Sequence, residues 1–205
     1  MASDATAAGT AEAGHHSSLG VSNEKMAMWA MIGSETLFFG ALIAAYLIYV
    51  GSFADSPEIT PQTIYDIPFT SVSTFILLMS SLGVVLALAA AQRGDDRGMR
   101  TWLLATALMG ATFLAGQIYE FTVFMEEGMR MSTSPFTTSF YVLTGFHGVH
   151  VAVGILLLLT LWTRSLAGKF TRRKSEVVEN IGLYWHFVDI VWIVLFTVVY
   201  LIPAE

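Results

Sequence analysis

The chain has 205 residues, of which 55% are hydrophobic and 13% are charged, with a formal net charge of -6 and a mean hydropathy of +0.63. This balance argues against a soluble globular domain, and the lack of a basic stripe argues against nucleic acid as a partner. The absence of cysteine excludes disulfides, thiolate metal sites and cysteine nucleophiles.

The N-terminal segment, residues 1–24, consists largely of Ala, Gly, Ser and Thr. These side chains are too small and polar to form a core, so we predict a disordered tail. The segment is not predicted to be a signal peptide, because no basic residue precedes an apolar stretch. Residues 25–205 are predicted to form one membrane domain.

Five apolar segments follow the tail, and each is long enough to cross a bilayer, which takes about 20 helical residues. They are residues 26–51, 68–92, 101–124, 137–163 and 180–202. The sequence therefore predicts an all-α integral membrane bundle of five transmembrane helices, without internal repeats that would indicate a transporter. Small residues within the spans, such as Gly40, Ala44 and Gly110, are expected to permit close helix packing.

The distribution of basic residues predicts the orientation of the bundle. Lys25 precedes the first span, three arginines lie between the second and third, and five basic residues lie between the fourth and fifth. The positive-inside rule then places the N-terminus in the cytoplasm and the C-terminus outside. Headgroup contacts are predicted for the arginines of the second connection, Arg93, Arg97 and Arg100.

Ionisable residues inside the spans are the most informative positions, because an unpaired charge in hydrocarbon is costly. Glu35 is expected roughly 14 Å from the start of its span, near the midplane. His147 and His150 share one face of the fourth span, and His186 and Asp189 share one face of the fifth. We expect these groups to face one another or a bound lipid headgroup.

Three interpretations of these polar groups are open at this point. A carboxylate-bridged metal site is disfavoured because two Glu-x-x-His motifs are absent, and a bis-histidine haem site because few histidines are available. The other possibilities are a hydrogen-bonded network that fixes helix packing, a lipid-binding site, and a site for proton handling. We predict no metal ligands and no catalytic residue.

Two further sets of residues lie toward the ends of the predicted spans. Gln117 and Glu120 are expected near the outer end of the third span, where solvent or headgroups could reach Glu120 and a structural cap is its expected role. The five tryptophans are expected to anchor the chain at the membrane interface. They are Trp29, Trp102, Trp162, Trp185 and Trp192.

Two sequence runs closely resemble subunit III of cytochrome c oxidase. The first is Thr-Gly-Phe-His-Gly-Val-His-Val at residues 144–151, and the second is Tyr-Trp-His-Phe-Val-Asp-Ile-Val-Trp at residues 184–192. Ser34-Glu35 with the following Phe-Phe pair, and Gly-Gln with Tyr-Glu at residues 116–120, add support. The resemblance covers residues 25–202 and is to the short, five-helix bacterial form, which lacks the first two helices of the long form.

The resemblance implies an accessory, metal-free subunit of an aa3-type oxidase in the bacterial cell membrane. It implies direct contact with subunit I, a complex with subunit II and smaller subunits, and haem and copper held by those partners. Cytochrome c would donate electrons to the complex and not to this chain. Phospholipid binding, support of proton uptake and durability during turnover are implied as well.

The same resemblance suggests a set of site residues. Glu35 resembles the family's buried, carbodiimide-reactive carboxylate, and four more residues match its intramembrane polar positions: His147, His150, His186 and Asp189. Tyr184, Trp185, Gln117 and Glu120 complete the predicted lipid-binding or polar network. Alternatives are subunit III of a quinol oxidase, a homologue associated with nitric-oxide reductase, or a small proton channel or transporter that uses Glu35 and Asp189 as relay groups.

Overall fold

The computed structural model describes residues 22–51, 66–168 and 174–202. In that part of the chain there are five long helices: α1 (Asn23–Gly51), α2 (Ile67–Gln92), α3 (Asp96–Glu126), α4 (Pro135–Leu166) and α5 (Lys174–Phe196). Helix α5 continues as a π-helical turn, Thr197–Leu201. All five helices are long and apolar enough to cross a membrane, which confirms the predicted fold class.

The helices start earlier than the apolar spans because polar capping residues lie outside those spans. The Asp66 carboxylate accepts from the Phe69 N–H, and the Asp95 carboxylate accepts from the Gly98 N–H at 2.9 Å. At α4, Ser134 and Thr137 cap each other's backbone N–H groups in a capping box. The disordered tail predicted for residues 1–24 falls mostly outside the described residues, although α1 begins at Asn23.

Helices α2 to α5 form a closed four-helix body. In this body α2 packs against α3 and α5, while α4 packs against α3 and α5. Helix α1 lies outside the body and packs mainly in the groove between α4 and α5. We call the end of the bundle with Lys25 and Arg100 the basic end, and the end with Asp66 and Ser134 the opposite end.

Trp185 of α5 fills the centre of the four-helix body. Its ring lies against Gly110 of α3 and Gly154 of α4, where an added Cβ would come within 2.5 and 2.7 Å of ring atoms. Its indole N–H donates to the Ser80 hydroxyl of α2 at 2.9 Å. One side chain therefore joins four helices, and the predicted close packing at Gly110 is confirmed.

The interface role predicted for two of the tryptophans is wrong. Trp185 and Trp192 are fully buried, and the Trp192 indole N–H donates to the Thr74 hydroxyl of α2 at 2.9 Å. Both rings lie well inside α5, where a neighbouring hydroxyl satisfies the one polar atom of the indole. Trp29 and Trp102 are exposed, as an interface anchor requires.

Candidate intramembrane polar sites

Glu35 of α1 and His150 of α4 form a polar contact between α1 and the four-helix body. The Glu35 Oε2 and His150 Nε2 atoms are 3.2 Å apart, and the other imidazole nitrogen, Nδ1, lies 2.8 Å from the Phe146 carbonyl oxygen. The two side chains are 29% and 18% exposed. The pair therefore lies at the edge of the protein, partly open to the membrane.

The hydrogen-bond partners of His150 fix how many protons the pair holds. A carbonyl oxygen only accepts, so Nδ1 carries a proton and donates it to Phe146. The contact with Glu35 then needs one further proton, which belongs either to the carboxyl group or to Nε2. In both forms the net charge of the pair is zero, which is the state that hydrocarbon tolerates best.

Helix α5 supports this pair from behind. The Tyr184 hydroxyl donates to the His150 backbone carbonyl at 3.0 Å, and Tyr184 is itself buried. Phe39 of α1 packs edge-on against the His150 ring, with centroids 5.0 Å apart. The structure thus brings together Glu35, His150 and Tyr184 among the predicted site residues.

His186 and Asp189 form a second polar group, on the side of α5 that faces α2. The Ser81 hydroxyl is 2.7 Å from the His186 Nδ1 atom. Asp189 is 3% exposed, and neither of its oxygens makes a hydrogen bond in the described structure, although Ser81 lies beside it. This group lies between α5 and α2, where Ser81 faces it, whereas the Glu35 contact joins α1 to α4.

His147 is fully buried and makes no contact with a carboxyl group among the described residues, although His150 lies close enough to interact with it electrostatically. Its ring stacks on Trp192 with centroids 4.9 Å apart, and the edges of Phe113 and Phe39 surround it. Neither ring nitrogen has a hydrogen-bond partner among the described residues. His147 therefore packs as an aromatic side chain, although it shares a helix face with His150.

Gln117 and Glu120 lie inside the bundle. Glu120 is 5% exposed and contacts the Thr70 hydroxyl of α2, and Gln117 donates to the Thr144 carbonyl of α4 at 2.8 Å. The expectation that solvent or headgroups reach Glu120 is wrong for the chain described here. Helix α3 continues to Glu126, so Glu120 lies nearly two turns before its end.

The three arginines of the connection between α2 and α3 differ in exposure and in their partners. Arg93 and Arg97 are exposed at the basic end, where headgroups could reach them. Arg100 instead donates to the Ser165 hydroxyl and, at 2.7 Å, to the Ser165 carbonyl at the end of α4. It therefore adds a side-chain hydrogen bond to a carbonyl in the last turn of α4 that also accepts from the Gly168 N–H.

The described residues contain no group of three or more His, Asp or Glu side chains that could hold a metal ion. The hydroxyl partners of the site, Ser80, Ser81, Thr70 and Thr74, were not predicted from the sequence. Their only sequence signal is two Ser and Thr clusters on α2, at residues 70–74 and 80–81, with Leu77 at the turn between them. Such clusters can also bond to their own helix backbone, so they do not identify partners.

Comparison with known proteins gives consistent matches. The family model described as cytochrome c oxidase subunit III matches residues 2–203. A cytochrome c oxidase subunit 3 from Thermostichus vulcanus is 41% identical over 170 residues, which cover 82% of each chain. A cytochrome bo(3) ubiquinol oxidase subunit 3 from Pseudomonas aeruginosa is 37% identical, covering 89% of this chain and 86% of its own. A quinol oxidase subunit 3 from Bacillus subtilis is 34% identical, covering 86% and 85%.

Proposed function

The chain belongs to the cytochrome c oxidase subunit III family, and we propose that it is the accessory subunit of an aa3-type oxidase supplied with electrons by cytochrome c. At the coarser level it is subunit III of a haem-copper oxidase and a multi-pass protein of the plasma membrane. Subunit III of this family carries no redox cofactor. Its contribution must therefore come from binding, from proton handling and from stabilising the catalytic subunits.

In the proposed complex the chain docks directly on subunit I, beside subunit II and the smaller subunits, and these partners hold the haem and copper. The N-terminus lies in the cytoplasm. Support for this orientation comes from the basic end, where Lys25, Arg93, Arg97 and Arg164 collect. The opposite end carries Asp66, Glu126 and Glu127 with only Arg130 beside them.

The Glu35 and His150 contact is the observation that carries the functional proposal. A carboxyl group in mid-membrane that is 29% exposed needs a polar partner on its membrane side as well as His150. A phospholipid headgroup or glycerol ester can supply it, and the neutral state of the pair lets that contact form without burying a net charge. We assign support of proton uptake by the oxidase to the same polar contact, which is partly open at the edge of the chain.

A groove between α1 and α4 provides room for part of a bound lipid. Its volume is about 590 Å³, and Leu42, Ala45 and Val142 line its apolar part. Hydroxyl-bearing residues, among them Tyr49 and Ser134, line the rest, near the opposite end of the bundle. An apolar wall that leads to a polar rim suits an acyl chain and the glycerol region of a lipid at this end, separate from the polar group that contacts Glu35 nearer the middle of α1.

The proposal is tested with Glu35→Ala and Glu35→Gln in the assembled oxidase. We expect Glu35→Ala to lower the phospholipid retained per complex and to shorten turnover lifetime, while the initial rate of oxygen reduction is kept. Glu35→Gln should retain more phospholipid and a longer turnover lifetime than Glu35→Ala, because an amide can still hydrogen-bond to His150. Thr36→Val is the matched control, since Thr36 is exposed on the same turn of α1 and bonds only to its own helix. Unchanged lipid content and lifetime in Glu35→Ala would refute the role.

A quinol oxidase is the second candidate, because two relatives that cover most of this chain are named as subunits of quinol oxidases. The donor is bound by other subunits, so the residues described here do not distinguish the two enzymes. An optical spectrum of the purified complex, together with activity assays with cytochrome c and with a quinol, separates them. Activity with quinol alone would replace the first candidate with the second.

A further inference from the structure

Glu120 lies where four helices approach one another near the opposite end, and the proposed function does not use it. Its carboxyl group on α3 contacts the Thr70 hydroxyl of α2. Tyr200, in the π-helical turn of α5, is close enough to interact electrostatically with Glu120 and with Tyr46 of α1. All four side chains are buried. A carboxyl group in this position must be satisfied by the protein itself.

The hydrogen bonds of Thr70 determine the state of that carboxyl group. The Thr70 Oγ1 atom lies 3.0 Å from the Asp66 backbone carbonyl and is also in contact with Glu120 Oε1. A hydroxyl group has one proton to donate and two lone pairs that accept, whereas a backbone carbonyl only accepts. Both contacts are hydrogen bonds only if Thr70 donates to Asp66 and Glu120 carries a proton that it donates to Thr70.

The surroundings of Glu120 favour the same assignment. An ionised carboxylate with 5% exposure would lose nearly all its hydration, and no basic side chain in the described part of the chain is among the groups that approach it. The groups that approach it are Thr70, Tyr200 and the side chain of Asp66 at the start of α2, and Asp66 opposes a second negative charge. Burial, hydrogen-bond geometry and neighbouring charge therefore agree.

We propose that Glu120 is a buried proton-binding site. It holds one proton, donates that proton to the Thr70 hydroxyl, and in this neutral form fastens α3 to α2 beside Tyr200 of the π-helical turn. Loss of the proton places a negative charge beside Asp66 and leaves the single Thr70 proton to serve two acceptors, Glu120 and the Asp66 carbonyl, which loosens this end of the bundle. The site is separate from the Glu35 and His150 pair, which lies between α1 and α4.

Infrared spectroscopy of the purified oxidase complex tests the protonation state. The wild-type complex should show a carboxylic-acid carbonyl band that is absent in Glu120→Gln. Thr70→Val should shift this band in the direction of a weaker hydrogen bond, and Thr70→Ser should leave it in place. If Glu120→Gln removes only carboxylate bands, or if Thr70→Val leaves the acid band unmoved, the proposal is wrong. The Thr70 variants keep the carboxyl group, so they decide the question even if Glu120→Gln does not assemble.

Hydrogen exchange in the same complexes tests the fastening. Glu120→Ala should raise amide exchange in α2 around Thr70 about tenfold, the effect of one lost net hydrogen bond. Glu120→Gln should raise it less, because its amide N–H can donate to Thr70. Thr122→Val, an exposed position on the same helix, is the control and should leave exchange unchanged. Unchanged exchange in Glu120→Ala would overturn the fastening role.

Discussion

The four-helix body and helix α1 differ in how tightly their side chains are packed. In the body, Trp185 and Trp192 extend from α5 to hydroxyls of α2, and Trp185 fits against glycines of α3 and α4 without spare room. In α1 only two large apolar side chains, Phe39 and Tyr46, are fully buried, and Gly40 has nothing within 4 Å of an added Cβ. The body therefore supplies stability, whereas α1 carries a polar group where the membrane and other subunits can reach it.

This difference explains where each buried carboxyl group is found. Glu120 and Asp189 lie inside the body, while Glu35 lies at the junction of the body with α1. A loosely packed edge helix can accept a lipid or a partner without repacking the core. The following predictions test whether the two regions really differ in this way.

The largest effect is expected from an added side chain inside the body. Gly154→Leu would place side-chain carbon atoms where the Trp185 ring lies. The ring has no room to move away, because it also packs against Gly110 and bonds to Ser80. Overpacking of this kind should cost at least about 3 kcal/mol and prevent stable assembly. Gly40→Leu is the matched control on α1 and should still assemble. The measurement is the amount of this chain in the purified complex, and equal amounts for the two variants would remove the contrast.

A smaller, local effect is expected when the anchor of α1 is truncated. Phe39→Ala would remove contacts with His150 and Phe187 and should cost about 3 kcal/mol, the lower end for a buried Phe. Hydrogen exchange should increase in α1 while α2 to α5 keep their protection. Leu37→Ala, at a side chain that is 77% exposed, should change α1 little. Equal loosening of all five helices would mean that α1 is part of one cooperative unit.

Substitutions of the two carboxyl groups, Asp189 and Glu35, should affect the stability of the complex differently. Asp189→Asn should leave the melting temperature of the complex unchanged or raise it, because neither Asp189 oxygen has a hydrogen-bond partner to lose among the described residues. Glu35→Ala should lower the stability of the complex by about 1 to 3 kcal/mol, and its melting temperature with it, since His150 Nε2 loses its partner. A clear loss of stability in Asp189→Asn would show that Asp189 has a partner in the complex.

The smallest effect is expected at the ion pair between α1 and α5 at the basic end. Lys25 bonds to Glu179, and both side chains are about one third exposed. Lys25→Met should cost less than about 1 kcal/mol, and the loss should shrink further at high salt. A double-mutant cycle with Glu179→Gln measures the coupling. A coupling well above this value would make the ion pair a principal attachment of α1.

The hydropathy pattern was sufficient to predict the five helices, because each span must satisfy its own backbone in lipid and so reads as a long apolar run. The helix ends were less predictable, since they depend on caps such as Asp95 and Ser134 that lie in polar sequence. Glu35 and His150 were both singled out, yet their pairing joins residues 115 positions apart. Such a pairing follows from which helices are neighbours, and apolar spans carry little information about neighbours.

Two of the errors share a cause. Trp185 was assigned to the interface and Glu120 to an accessible end because both lie toward an end of their predicted span. Each is turned instead toward a hydroxyl of α2, Ser80 or Thr70. Trp192 lies in the middle of its predicted span, so its depth alone already argues against an interface position. Depth along a span can be counted from the sequence, but the direction in which a side chain points around the helix axis requires the neighbouring helices.

The π-helical turn that ends α5 constrains the number of residues between Phe196 and Tyr200. The N–H of Ile202 donates to the carbonyl of Thr197, a spacing of five residues, so this turn contains one residue more than an α-helical turn. Deletion of Val198 would restore the ordinary spacing and rotate Tyr200 by about 100° away from the Glu120 side. The number of residues between Phe196 and Tyr200 is therefore matched to an interior contact, so adding or removing a single residue there would turn Tyr200 away from Glu120.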